Sequence, residues 1–348
     1  MVFMANLLSR FIEKIRIKWA DYIIGALEII LSALIGFLVA GLVLWGLGYD
    51  PSRAFSIMIS YGYSDPVYLI AKATPLIMTG LAFSIPLLAG VFNIGGESQL
   101  YLGALAGLLT AYYTGNWFLA IIAGFIAGAL WGGLIAVLRI YRGINEVITA
   151  IMLNWIAYYT IIYLVIKYFA NPVLPQQSVE VPPSAQLSPW IGFLLGIIGV
   201  VIIYYLLYYT DIGYKMRVSG LSPRSAKYAG FNPITSILYS MLIGGGMAGY
   251  GGALLVLAVS RSIDVTMSTL YGLGFTGIGV GLLGRNHPIG IVFSALFFAG
   301  LIIGGQFVEL KTGAPPMLSD AITGTIVIAL SAPYAYRVLI RYFGGRGK

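Results

Sequence analysis

Residues 117–142 read WFLAIIAGFIAGALWGGLIAVLRIYR. From Trp117 to Leu138 no side chain is charged, and Arg139 and Arg142 then close the run. That is long enough to cross the ~30 Å hydrocarbon core of a bilayer as one helix. Gly124, Gly128 and Gly132 recur every four residues. Small residues at that spacing let helix backbones approach closely in lipid, where packing drives association. The segment therefore reads as one membrane helix of a close-packed bundle, with its basic end at the cytoplasm.

The rest of the chain repeats the pattern. Apolar stretches lie at about 22–47, 67–90, 94–113, 146–169, 190–209, 234–258, 266–284, 288–307 and 317–336. The 348 residues are 59% hydrophobic and 9% charged, with 45 glycines and a mean hydropathy of +0.91. A soluble surface needs roughly 25% charged residues, so a soluble enzyme, a disordered chain and a secreted disulfide domain are excluded. The fold class expected is all-α, a polytopic membrane bundle of about ten transmembrane helices. Glycine and proline interruptions make some of these stretches poor uniform spans, and 94–113 and 266–284 are the least regular, candidates for re-entrant or broken crossings.

The basic residues orient the bundle. With ten crossings and both termini in the cytoplasm, the inner segments hold Arg10, Lys14, Arg16, Lys18, Arg139, Arg142, Lys215, Arg217, Arg224, Lys227, Arg285, Arg337, Arg341, Arg346 and Lys348. The outer side keeps Arg53, Lys167, Arg261 and Lys311, with Lys72 near the outer end of a helix. Fifteen of the 20 basic residues thus face inward, as the positive-inside rule requires. The net charge of +8 reports orientation and calls for no nucleic acid. The domains expected are a cytoplasmic segment 1–21, a transmembrane domain 22–336 and a basic cytoplasmic tail 337–348. Within the transmembrane domain, 171–189 is an external loop and 211–233 a cytoplasmic one. In the latter, Ser222-Pro223 starts a short helix that Gly230 ends, a shape suited to docking in another protein's groove.

Candidate chemistry is sparse. Without cysteine and with one histidine, His287, thiolate chemistry, disulfides and a histidine-rich metal site are out. GLGFTG (272–277) and GGGMAG (244–249) match G-x-G-x-x-G, but neither follows a strand, and no G-x-x-x-x-G-K-[ST] loop occurs. The chain is expected to bind no nucleotide or other cofactor and to catalyse no reaction. Polar residues inside apolar segments are costly and point to function or to interhelical bonding. Asn93, Glu97 and Gln99 open one segment; Asn145 and Glu146 open another, where Glu146, Ala150, Asn154 and Tyr158 form one stripe. The functional reading makes Asn93, Glu97, Gln99, Asn145, Glu146 and Asn154 the lining of a translocation path. Few ionisable groups (Glu28, Lys72, Glu97, Glu146, Asp320) could carry a coupled ion, which favours an external energy source.

Five strings together resemble the permease subunits of ABC importers of the branched-chain amino acid/ribose type, nearest to the branch serving nucleosides and simple sugars. They are TPLIMTGLAF (74–83), VFNIGGESQLYLGA (91–104), GINEVITAIMLNWIA (143–157), GYKMRVSGLSPRSAKYAGFNP (213–233) and GFTGIGVGLLGRNHPIG (274–290). The resemblance implies a permease working as a pair in the plasma membrane, with two cytoplasmic ATPases that hold ATP and Mg and an external substrate-binding protein. It makes 211–233 the coupling segment, with Gly220, Pro223, Ala226, Tyr228, Ala229 and Gly230 on the family's pattern and Arg224 on the same short helix. Ser98 departs from the glycine more usual in that family. Nucleosides are the expected substrate, with simple sugars of the ribose type as the alternative and a proton- or ion-coupled carrier as a more distant one.

Overall fold

A computed structural model describes residues 34–268 and 270–315, together with 321, 324, 325 and 328. The expected segment 1–21, most of the last crossing (317–336) and the tail 337–348 lie outside the described residues, as do Glu28 and Asp320. The described residues form helices and two isolated β-bridges.

In chain order these are α1 (described from Leu34 to Gly46), α2 (Pro51–Gly62), α3 (Pro66–Leu88), α4 (Gly96–Thr114), α5 (Trp117–Arg142) and α6 (Glu146–Tyr168). There follow α7 (Pro189–Tyr209), α8 (Asp211–Leu221), α9 (Pro223–Tyr228), α10 (Pro233–Leu255), α11 (Leu273–Leu283) and α12 (Pro288–Thr312). Among the described residues, α3, α5, α6, α7, α12 and α10 with its extension to Ser260 are six helices long and apolar enough to span a membrane.

The ends of the helices follow from local chemistry. Asp65, Ser188, Ser222 and Asn232 each precede a proline and accept a hydrogen bond from a backbone N–H of the first turn. Proline loses nothing at that position, because its missing N–H would have had no partner. Asn116 and Asn145 cap α5 and α6 in the same way. Gly115, Gly143 and Gly230 stop α4, α5 and α9 with φ of 66°, 64° and 80°.

The chain clusters into two compact units, Met58–Gly304 and the flanking residues up to Ile57 and from Gly305. In the larger unit α3 and α10 form the centre: 83% and 78% of their most apolar stretches are buried, against 33% for α6 and for α7. Glycine makes this centre possible. A Cβ on Gly128 would lie 2.3 Å from the carbonyl oxygen of Gly245, and one on Gly249 only 2.2 Å from that of Gly124. The stripe read in 117–142 thus meets the glycines of α10 backbone to backbone. Both G-x-G-x-x-G strings are packing surfaces: Gly246 faces the Phe125 ring and Gly277 faces Thr79 of α3.

Two segments behave differently from each other. The 94–113 stretch, expected to be irregular, is a continuous helix from Gly96 onward. The 266–284 stretch is broken: α10 ends in a π-turn over Val256–Ser260, and only α11 is helical beyond Gly272. Eleven residues reach about 16 Å, half a bilayer core. The helix α2 had no sequence-based expectation, because its short polar-apolar mixture lacks the length of a crossing.

Gly249→Ala should disrupt the α5–α10 contact at a cost of about 1–3 kcal/mol, the usual range for overpacking a tight core. The unfolding midpoint of the detergent-purified protein measures this. Gly46→Ala, with nothing within 4 Å of the added carbon, should leave the midpoint unchanged.

Candidate functional site

Between Gly90 and α4 the chain runs without helix, and Val91, Asn93 and Gly95 are buried. Non-helical backbone is tolerated at membrane depth only where protein supplies its hydrogen bonds. Here the amides of Asn93 and Asn154 do so, with Gln99 bracing Asn93. Asn93 and Gln99 exchange two hydrogen bonds, Nδ2 to Oε1 at 2.9 Å and Nε2 to Oδ1 at 3.0 Å. Asn93 also donates to the Ala82 carbonyl of α3 and accepts from the Gly95 N–H. Asn154 of α6 donates to the Ile94 carbonyl and accepts from the Ser98 N–H, both at 3.1 Å. Ser98 adds its hydroxyl to the Gly95 carbonyl at 3.0 Å.

Glu97 serves the second break. Gly272, with φ of 81°, begins α11, whose first N–H groups have no partner within the helix. One carboxyl oxygen of Glu97 accepts from the Gly272 N–H at 2.5 Å; the other accepts from Gly274 at 2.6 Å and Phe275 at 3.1 Å. The Tyr101 hydroxyl, one turn further along α4, also donates to this carboxyl. A negative group at a helix N-terminus is favoured by the aligned peptide dipoles, and more so away from water. The approach is so close that a Cβ on Gly274 would sit 2.2 Å from the Glu97 nitrogen.

The expected path residues therefore divide. Asn93, Glu97, Gln99 and Asn154 come together in one buried network; Asn93 precedes α4 and shares no helical face with Glu97. Asn145 caps α6, and Glu146 pairs with Arg139 of α5, so both sit at the basic end of the bundle, away from that network.

Beside the network lies a cavity of about 50 Å³, bounded by Glu97, Tyr101, Asn154, Trp155, Tyr158 and Tyr271. It has room for a few water molecules. Its rings pack mainly edge to face: Tyr158 lies 6.2 Å from Tyr101, 5.8 Å from Trp155 and 6.1 Å from Tyr271. Of these aromatics the sequence reading had singled out Tyr158 alone. Trp155 follows Asn154 directly, and Tyr101 lies one turn after Glu97, spacings that place each beside a polar residue of the network. Tyr271 is far in sequence, and nothing local announces it.

The loop 211–233 also takes shape. The α9 helix begins at Pro223, capped by Ser222, and Gly230 follows in the left-handed conformation. Arg224, Tyr228 and Ala229 are exposed, Tyr228 at 93%, whereas Ala226 is fully buried. Gly220 packs on the end of α3, where a Cβ would meet the Leu88 carbonyl oxygen at 2.1 Å. His287 nests against the rings of Tyr204 and Tyr208, at 5.7 and 5.3 Å, and burial lowers its pKa. Among the described residues, no group of three or more acidic, histidine or cysteine side chains could hold a metal ion.

A helical bundle with six candidate spans among the described residues, a broken helix capped from within and an exposed short helix at its basic end describes a multi-pass transport permease. The chain belongs to the family described as "Branched-chain amino acid transport system / permease component", whose model matches residues 66–331. It is 31% identical to the glucose ABC transporter permease protein TsgB13 of Haloferax volcanii, over 86% of each chain. It is 29% identical to the nucleoside ABC transporter permease protein NupB of Lactococcus lactis, over 90% of each. The guanosine ABC transporter permease protein NupP of Bacillus subtilis is 28% identical, over 89% of this chain and 94% of its own. The protein is an ABC transporter permease subunit in a membrane.

Glu97→Gln replaces one accepting oxygen by a donating amide that must face a backbone N–H. A clash of donors in a buried site costs about 1–3 kcal/mol, so the unfolding midpoint should fall. An unchanged midpoint with transport lost would remove the capping role and leave Glu97 acting on the substrate.

Proposed function

We propose that the chain is the membrane-spanning half of an importer for nucleosides, driven by a partner ATPase and supplied by an external binding protein. The observation that carries this reading is the cavity in which aromatic rings stand beside a carboxyl and an amide. A nucleobase offers a π-face to such rings, and stacking is worth about 1–3 kcal/mol per base. A ribose offers hydroxyls to Asn154 and Glu97. At about 50 Å³ the cavity is far below the ~300 Å³ of a small-molecule site, so passage requires the rings to part.

The rest of the proposal follows the charge distribution. Ten crossings in the plasma membrane, with both termini in the cytoplasm, keep 211–233 inside and 171–189 outside. The exposed Arg224, Tyr228 and Ala229 meet the ATPase, while Pro223, Ala226 and Gly230 shape the helix that presents them and Gly220 anchors it. ATP and Mg belong to that partner. Asn93, Glu97, Gln99 and Asn154 shape the path, and Asn145 and Glu146 hold its cytoplasmic rim. The exposed apolar face of α6, with Met152, Ile156 and Tyr159, suits lipid or a second permease subunit, a copy or a sister chain.

A simple sugar is the second reading, favoured by the 31% identity to a glucose permease. Uptake by the chain, its ATPase and its binding protein in vesicles separates the two. Tyr158→Leu and Trp155→Leu should each reduce nucleoside uptake by about tenfold, the loss of one stacking contact. Comparable loss for ribose and nucleosides would point to sugar transport. Uptake without the ATPase that collapses with the proton gradient would favour the ion-coupled carrier.

Ala229→Glu, on the exposed side of α9, should uncouple uptake from ATP hydrolysis while leaving the unfolding midpoint unchanged. Unaffected uptake would remove the coupling role of this helix.

A further inference from the structure

The connection from α6 to α7 lies at the end of α6 away from Glu146, and it is tied down along its length. It first folds back on α6, where the Val179 N–H meets the Phe169 carbonyl at 2.7 Å. It then runs as a strap beside the chain between α10 and α11. Ser178 and Val181 donate their N–H groups to the carbonyls of Ile263 and Arg261, both at 2.8 Å, and Val265 donates to Gln176 at 3.0 Å. Leu187 donates to Leu257 at 2.9 Å. The π-turn calls for that last bond. The Arg261 N–H, which an α-helix would give to Leu257, goes to Val256, so the Leu257 carbonyl needs a donor from elsewhere. At the middle of the strap Ser178 is wholly buried, and its hydroxyl oxygen accepts the Ile263 N–H at 2.9 Å.

The stretch that the strap holds is strained. Arg261 and Met267 have φ of 62° and 57°. Side chains disfavour that left-handed region, and it persists only where neighbours enforce it. From there a series of hydrogen bonds leads inward. The Asp264 carboxyl accepts the Ser268 N–H at 3.0 Å, and its carbonyl accepts the Met267 N–H at 2.9 Å. The Met267 carbonyl receives the N–H groups of Leu270 and Tyr271, at 3.0 and 2.8 Å. Leu270 is buried, Tyr271 lines the aromatic cavity, and Gly272 donates to Glu97.

We propose that residues 176–187 are a latch on the aromatic cavity. Seated, the strap holds the strained turn 261–267 and keeps Tyr271 in the cavity wall. Released, the turn relaxes and Tyr271 withdraws, which opens the path. Ser178 is the positioning residue: it acts on the cavity through Ile263 and touches no solute. The latch requires transport, the activity of the family, and no particular substrate.

The chain has no cysteine, so an introduced pair is unambiguous. Gln177 and Asp264 oppose each other in an antiparallel bridge, flanked by two of the bonds above without sharing them. The Cα atoms of such a pair lie about 4.5 Å apart, within reach of a disulfide. Gln177→Cys combined with Asp264→Cys should cross-link under an oxidant. Uptake of guanosine or glucose, by the chain with its ATPase and binding protein in vesicles, should then fall at least about tenfold, as for a lid that must open in every cycle. Reduction should restore uptake, and each single variant should be indifferent to the oxidant. Undiminished uptake by the cross-linked protein, or failure to cross-link, overturns the proposal. A second measurement needs no solute. Ser178→Ala removes the acceptor of the Ile263 N–H, and amide hydrogen exchange of the purified full chain should quicken about tenfold, the loss of one buried hydrogen bond, as far as Leu270, Tyr271 and Gly272. Exchange at the α5–α10 contact should stay as in the wild type. Quickening confined to Ile263 shows an ordinary loop bond and overturns the proposal. If the wild type carries neither guanosine nor glucose, that counts against the substrate reading alone, and the exchange measurement decides on the latch.

Discussion

A helix that begins within a packed bundle leaves its first N–H groups in need of a protein acceptor, and this bundle answers that problem with one carboxyl. Glu97 receives three backbone N–H groups at the start of α11 and the Tyr101 hydroxyl as well. Each unmet donor in hydrocarbon costs several kcal/mol. The half-length α11, the close contact of Gly274 and the seating of α11 along α3 through Gly277 therefore depend on that single side chain staying in place. The Asn93–Gln99–Asn154 network solves the same problem for the chain entering α4.

The non-helical stretch before α4 and the start of α11 are thus neighbours, both satisfied by polar groups around the first turn of α4, with Asn154 of α6 serving the former. The polar residues that looked like a channel lining are largely consumed in holding backbone. What is left facing the cavity is aromatic, with Glu97 and Asn154 at its edge. On the proposed reading, a site of that composition would meet a flat ring through its faces, with few polar groups left to hold a charged solute. This bears more directly on substrate class than the amide residues do.

Much of the fold was legible because membrane helices obey two simple constraints, length and hydropathy. The stretches 67–90, 117–138, 146–169, 190–209, 234–258 and 288–307 each coincide with a spanning helix. The four-residue glycine spacing in 117–142 named a packing face, although not its partner, since Gly245 and Gly249 lie far along the chain. The break at Gly272 was visible as irregularity in 266–284. The matching irregularity in 94–113 was misleading: glycines within α4 serve close approach, Gly103 to Gly249 and Gly107 to Ala253, and do not interrupt the helix. The path residues were grouped by their polarity, and polarity cannot distinguish a side chain facing a cavity from one bonded to backbone. Asn145 and Glu146 share a helix with Asn154, but eight residues of rise carry them about 12 Å from it. Tyr271 could not be found from sequence, because the pairing of α11's start with α6 is purely tertiary.

The same glycine logic bears on how a movement at the basic end would reach the site. Gly220 rests on the backbone of Leu88 and Gly90, with no side chain between them. Gly90 lies three residues before Asn93, and Asn93 lies in the stretch that orders Gln99 and, with it, the first turn of α4 holding Glu97. A side chain at such a contact could swing and absorb a displacement; two backbones in contact cannot, because packed interiors are nearly incompressible. If 211–233 moves with a partner ATPase, as proposed, the shift is delivered to the α3–α4 turn. From there it reaches the carboxyl on which α11 is hung. The two-state element is then the start of α11, whose N–H groups either keep Glu97 or lose it as the aromatic rings part.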